Sequence, residues 1–296
     1  MMLNVYKSSV RSSLRLHRPF TTSLVKRNSL QQYNNESVKL IAIPITSSKT
    51  YVHFKHSDQI SNKKSKLIRW EQTVVKKCKH FWSKMEKSPK PINIKIVSLV
   101  RQYMNRIPWQ EDSLLSIPGE HYIMKRIQQE APSKMEGVVK TMTAKQYMQT
   151  SPPPKLVPVS IYHPDSLSSD KLASQLNELS RLGLKYHIKE IYKCLLILPF
   201  TLPLALVPIV PNIPGFYLSY RIYCNLKAYM GAKHLQKMLK DDMITFKQIK
   251  EYNDIISGNN QLTVQTIGEV TSLFDINEIN ATLKRSLLQE SDQNPT

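Results

Sequence analysis

Between Cys194 and Tyr220 the chain reads CLLILPFTLPLALVPIVPNIPGFYLSY and carries no charge; Lys193 and Arg221 close it. A helix needs about 20 predominantly apolar residues to cross a hydrocarbon core of about 30 Å. The run is therefore long enough for one crossing and too short for two. Pro199, Pro203, Pro208, Pro211 and Pro214 interrupt it. Each lacks a backbone donor and crowds the preceding turn, and carbonyls freed at membrane depth need other partners. One straight helix is excluded. Three architectures remain: a kinked, tilted span; a shallow hairpin that enters and leaves on one face, turning at Val210 to Gly215; or a buried helix pair of a water-soluble domain.

The rest of the chain is polar and basic. Its 296 residues carry a net charge of +20, and mean hydropathy is −0.35, which excludes a multi-span transporter standing alone. The charge suits anionic lipid heads, nucleic acid, or a basic compartment such as the mitochondrial matrix. Seven glycines argue against Gly-rich nucleotide loops, and Cys78, Cys194 and Cys224 make no disulfide framework.

Residues 1–30 are basic and Ser/Thr-rich, with no acid before Glu36. This is transit-peptide composition, with a disordered nucleic-acid-binding tail as the alternative. Residues 36–150 read as a basic β-hairpin plus helices. The runs Val38 to Thr46 and Tyr51 to Phe54 pair across Ser47-Ser48-Lys49, and Pro44 demotes the first to an edge or a strand end. His53 and His56 lack further ligands at metal spacing. Residues 63–87 form an amphipathic helix through Leu67, Trp70, Val74, Cys78, Phe81 and Met85, its other positions rich in lysine. It suits an anionic membrane surface or a core helix with a solvated basic face. Residues 92–106 form a second helix. Glu111 and Asp112 after Pro108 read as first-turn acids rather than a catalytic pair.

Residues 151–168, with Pro152-Pro153-Pro154, Pro158 and Pro164, read as a stiff linker. Residues 169–240 form the membrane-inserting region, and 241–296 form amphipathic packing or partner helices. The fold class is thus mainly α and membrane-associated, with a short N-terminal β-hairpin and one proline-broken apolar segment. No phosphate loop, metal cluster or nucleophile elbow appears. No enzyme activity, catalytic residue, cofactor or metal is expected, and no specific nucleic-acid motif is present.

Three blocks resemble the fungal mitochondrial K+/H+ exchange-related inner-membrane proteins: IAIPIT…YVHF at Ile41 to Phe54, NRIPWQEDSLLSIP at Asn105 to Pro118, and LPFTLPLALVPIVPNIPGFYLSYRIYCNLKAYMGAKHLQ at Leu198 to Gln236. Pro108, Trp109, Glu111, Ser116, Ile117 and Pro118 carry the middle motif. The resemblance implies an inner-membrane protein of a potassium/proton exchange system that governs matrix volume. It brings no catalytic residues.

Moving K+ and H+ through a bilayer requires polar or ionisable groups at depth. Cys194 to Tyr220 holds no carboxylate and no histidine. Carbonyls freed at the prolines could coordinate K+, but one segment encloses no pathway without further copies or exchanger subunits around it. The expectation is an accessory or regulatory subunit, the bulk of the chain in the matrix, in contact with anionic inner-membrane lipid. Asn212, between Pro211 and Pro214, is the candidate for a structural or coordinating role, or for capping a turn. Lysines before the run and Arg221, Lys227 and Lys233 after it favour the hairpin, because basic flanks prefer one side. The competing function is a membrane tether for the mitochondrial ribosome or assembly factors.

Overall fold

The N-terminal runs pair as expected, for a physical reason visible in their burial. Strand β1 (Val38–Pro44) is buried along its whole length and pairs antiparallel with β2 (Thr50–His56) from Val38–His56 to Pro44–Thr50. Alternate side chains serve different faces. Val38, Leu40 and Ala42 enter one core, while Ile41 and Ile43 enter another. The computed structural model describes residues 29–63, 65–128, 139–206, 212–256 and 261–293. The predicted transit peptide lies outside these residues except at the start of α1 (Ser29–Asn35).

The hairpin is half of a four-stranded mixed sheet of order β2-β1-β5-β6. Strands β5 (Val159–His163) and β6 (Ile244–Gln248) run parallel to one another, and β5 runs parallel to β1. This corrects one expectation: the 151–168 stretch is not a linker, because β5 lies within it, buried at every position. Pro44 takes the strand-end alternative: β1 is internal to the sheet and Pro44 closes it, where a missing donor breaks no ladder.

Between β2 and β5 come α2 (Lys66–Glu86), α3 (Pro91–Asn105), α4 (Trp109–Ser116), a small hairpin of β3 (Lys125–Gln128) and β4 (Val139–Met142), and α5 (Ala144–Gln149). The crossover from β5 to β6 is a long antiparallel pair, α6 (Ser169–Ile197) and α7 (Ile213–Lys240), each about 42 Å long. Ser168 caps α6 by accepting from the Lys171 amide. Residues 172, 176, 180, 183, 187, 191 and 194 form its buried stripe. Beyond β6 lie α8 (Lys250–Ile256), α9 (Ile267–Leu273) and α10 (Asn280–Gln293).

The result is three layers. Helices α4, α6 and α7 close one face of the sheet through Leu114, Leu172, Leu176, Ala228, Ala232 and Leu235. The C-terminal segments and Tyr33 close the other through Tyr252, Val270, Phe274 and Leu283. The 169–240 region is therefore corrected in extent: its sheet-proximal ends belong to the protein core. No helix among the described residues is long and apolar enough to cross a membrane. The kinked single span is not what forms, since proline ends α6 and α7 starts afresh.

Candidate functional site

The α6/α7 hairpin ends in an apolar tip. Leu198, followed by Pro199, closes α6, and a 3-10 segment (Leu198–Leu206) carries the chain on with Pro203 inside it. Leu198 itself is still helical, but Pro199 has no amide to continue the i→i−4 ladder, and the α-helix stops here. Pro208 and Pro211 lie outside the described residues. Asn212 then starts α7. Its Oδ1 accepts from the Gly215 amide at 2.9 Å, its Nδ2 donates to the Thr201 carbonyl at 2.9 Å, and Pro214 occupies the first turn. Asn212 thus caps a helix and ties the two halves of the tip together, with both ends of its amide engaged. Leu196, Phe200 and Phe216 are 73%, 78% and 72% exposed. Leu195, Ile197, Tyr192 and Tyr220 extend the same patch, while Cys194 is buried against the pair. A contiguous apolar patch of this kind marks a contact surface.

Immediately below the tip lies a buried polar chain. Arg221 donates both Nη atoms to Glu111, at 2.5 and 2.8 Å, and both residues are almost fully buried. Asn225 donates Nδ2 to the Arg221 carbonyl at 2.8 Å, so its Oδ1 is the acceptor that faces His187 Nδ1 at 2.8 Å. His187 therefore carries its proton on Nδ1. Burial lowers the His187 pKa, opposed by that hydrogen bond and by Glu111. Burial also acts to lower Arg221, but the hydrogen bonds and charge of Glu111 outweigh it and hold the guanidinium ionised. Glu111 and Asp112 stand in the first turn of α4 as expected, and each is also an ion-pair partner, of Arg221 and Arg285. Arg221, a basic flank of the apolar run, is thus paired rather than free.

Helix α4 explains the middle motif. Pro108 precedes it, and Trp109 is buried, its Nε1 donating to Glu290 at 2.9 Å. Ser113 and Ser116 accept from the Val52 and Phe54 amides at 2.8 and 3.2 Å, so α4 satisfies the open edge of β2. Ile117 is buried, and the Pro118 carbonyl accepts from His234 Nδ1 at 2.7 Å. Gly231 lets this segment approach α7: a Cβ there would stand 2.6 Å from the Ile117 carbonyl oxygen. The three resemblance blocks thus meet at α4, one through β2, one through itself and one through α7.

Of the residues singled out for metal, His53 and His56 are three apart on a strand and so face opposite ways. No group of three or more potential metal ligands occurs among the described residues. His187, Asn225, Ser113 and Gly231 were not singled out from sequence. The His187–Asn225 contact and the contacts of Ser113 and Gly231 join residues distant in the chain, and no local spacing marks them.

The chain matches the family described as "Mitochondrial K+-H+ exchange-related" over residues 39–239. It belongs to this family. Among family-like relatives, the uncharacterized protein YDL183C of Saccharomyces cerevisiae is 37% identical over 294 residues, covering 93% of this chain and 91% of the relative. The uncharacterized protein C23H3.12c of Schizosaccharomyces pombe is 26% identical over 211 residues, covering 71% and 79%. No solved structure matches the chain. The matched family region begins at the second residue of β1 and ends at the close of α7, so it takes in α4, the buried polar chain and the tip.

Proposed function

We propose that the protein serves mitochondrial potassium/proton exchange and matrix volume control as an accessory or regulatory subunit at the matrix face of the inner membrane. In this reading the tip of the α6/α7 hairpin sits in the bilayer while the three layers stay in the matrix. The supporting observation is the tip itself: Leu196, Phe200 and Phe216 stand exposed at the end of two helices anchored in the core, within a run that carries no charge from Cys194 to Tyr220. Burying Leu196, Phe200 and Phe216 would contribute about 1.5–3 kcal/mol each. An ordinary water-soluble surface gives no reason to leave them out. The family description supplies the ionic process.

The accessory role follows from what the tip lacks. Its run holds no carboxylate, histidine, lysine or arginine, and Arg221 beneath it is neutralised by Glu111. A pathway would have to be built by further copies or by exchanger subunits. No catalytic residue is assigned.

The test is potassium-acetate swelling of isolated mitochondria with and without the protein. Acetic acid crosses the membrane and acidifies the matrix, so sustained swelling needs K+ entry against H+. Loss of swelling that nigericin restores is the expected result. Unchanged swelling would remove the ion-exchange reading and turn attention to the ribosome tether. Reconstitution of the purified protein alone should yield no exchange; activity there would make it the exchanger.

A further inference from the structure

Helix α2 has a second apolar face that the fold does not use. Its inner side is fixed to the body: Ile68 is buried, and Glu71 accepts from Tyr122 and Tyr223 and pairs with Lys227 at 3.2 Å. Burial works against the Glu71 carboxylate, but those partners outweigh it and lower its pKa. Beside that inner side, positions 67, 70, 74, 78 and 81 are all exposed. They fall at steps of three and four, hence on one stripe. Leu67, Trp70 and Phe81 are 78%, 69% and 64% exposed. Lys66, Lys77 and Lys84 border the stripe at helical spacing, and Arg69, Lys76 and Lys79 lie further round, all exposed. The two acids of the helix are both paired within the chain, Glu71 as above and Glu86 with Arg101 at 3.1 Å on the surface. Helix α3 contains no acid, and its Tyr103 ring lies 6.0 Å from Tyr217 at the foot of the tip.

We propose that α2 is a second membrane contact, lying flat on an anionic phospholipid surface beside the inserted tip. The occupant follows from the chemistry of the face. A second copy of the chain would bring the lysine borders of two identical helices together. A nucleic acid would satisfy the lysines and leave Leu67, Val74 and Phe81 in water. Only an anionic interface takes the stripe into its acyl boundary and the lysines at its headgroups. The proposal rests on the membrane placement argued above, and it adds the lipid class and the orientation.

Cys78 provides a probe, since it lies in the stripe and is exposed whereas Cys194 and Cys224 are buried. The full protein would carry a solvatochromic maleimide at Cys78 and be mixed with phosphatidylcholine vesicles, with or without a fifth of phosphatidylserine. The expected result is a blue shift with the anionic vesicles only, weakened by salt. Trp70→Glu with Phe81→Glu should lower affinity for anionic vesicles about tenfold or more. Lys66→Glu with Lys77→Glu, which leaves the stripe intact, should abolish the anionic preference. Unchanged emission with vesicles to which the protein is bound would overturn the α2 proposal alone, since the tip would then be the sole contact. If vesicle binding survives both α2 variants but RNA binding is lost, the face belongs to nucleic acid and the proposal fails. Absence of vesicle binding by the wild type and by a Leu196→Glu, Phe200→Glu tip variant would sink the membrane placement itself.

Discussion

Replacing Arg221 by methionine isolates what the buried ion pair contributes. Methionine retains most of the hydrocarbon length, so little cavity opens. What changes is Glu111, only 2% exposed, whose carboxylate loses both Arg221 hydrogen bonds with no water to replace them. Breaking one side of a buried pair costs about 3–5 kcal/mol, a large part of the roughly 5–15 kcal/mol that holds a domain together. Glu111→Leu alone should cost a similar amount, because it strands the guanidinium between α4 and α7. The double variant Glu111→Leu, Arg221→Met removes both charges and should recover to within about 1 kcal/mol of wild type, or exceed it. The cycle therefore carries a coupling energy of about 3 kcal/mol or more. Urea unfolding followed by far-UV circular dichroism measures all four corners. The reasoning is refuted if each single variant loses under about 1 kcal/mol, or if the double loses the sum of the two singles.

Three further outcomes are expected. Gly231→Ala should lower stability by about 1–3 kcal/mol, because its Cβ meets the Leu114 and Ile117 carbonyls, whereas Gly268→Ala, with nothing within 4 Å of its Cβ, should be neutral or stabilising in the same urea-unfolding assay. Asn212→Ala should cost about 1 kcal/mol as a lost cap and speed hydrogen exchange at the Gly215 amide; unchanged exchange there would exclude the capping role. Stability should fall as pH drops from 6.5 toward 4, because burial lowers the His53 pKa from 6.5 to about 4, and burial lowers His187 and His234 as well. Above pH 6.5 these rings are neutral folded and unfolded, and below it the unfolded chain takes up protons first. His53 alone contributes about 3 kcal/mol of that loss, so His53→Gln should flatten the dependence of the urea midpoint on pH.

Sequence reasoning reached those parts of the fold whose causes are local. The β1/β2 hairpin was legible because two β-rich runs flank a short polar turn, and α2 and α3 because their apolar positions recur every three or four residues. Asn212 was legible too, as a short polar side chain placed before Pro214 and Gly215. Strand β5 was not. Its five residues stand between Pro158 and Pro164, and what makes them a strand is pairing with Lys39–Ile41 far upstream and Ile244–Gln248 far downstream. Strand β6 was hidden in the same way inside a stretch that reads as helical. At the site, Arg221 looked like a flanking charge because its partner lies 110 positions earlier. The exposed tip could be anticipated from the uncharged run, but the polar chain under it depends on α4 sitting against α7, which no spacing reveals.

The last helix also closes the first strands. Tyr33 donates to the Phe274 carbonyl, and Glu290 on α10 holds both Lys49 and Trp109. A chain synthesised amino end first presents its β-hairpin long before it presents residue 290. Until then Ile41, Ile43 and Trp109 lack the carboxyl-terminal half of their core. Maturation is thus tied to arrival of the carboxyl end. A premature stop shortly before Glu290 would damage the oldest part of the chain to emerge, leaving the motif tryptophan without its acceptor.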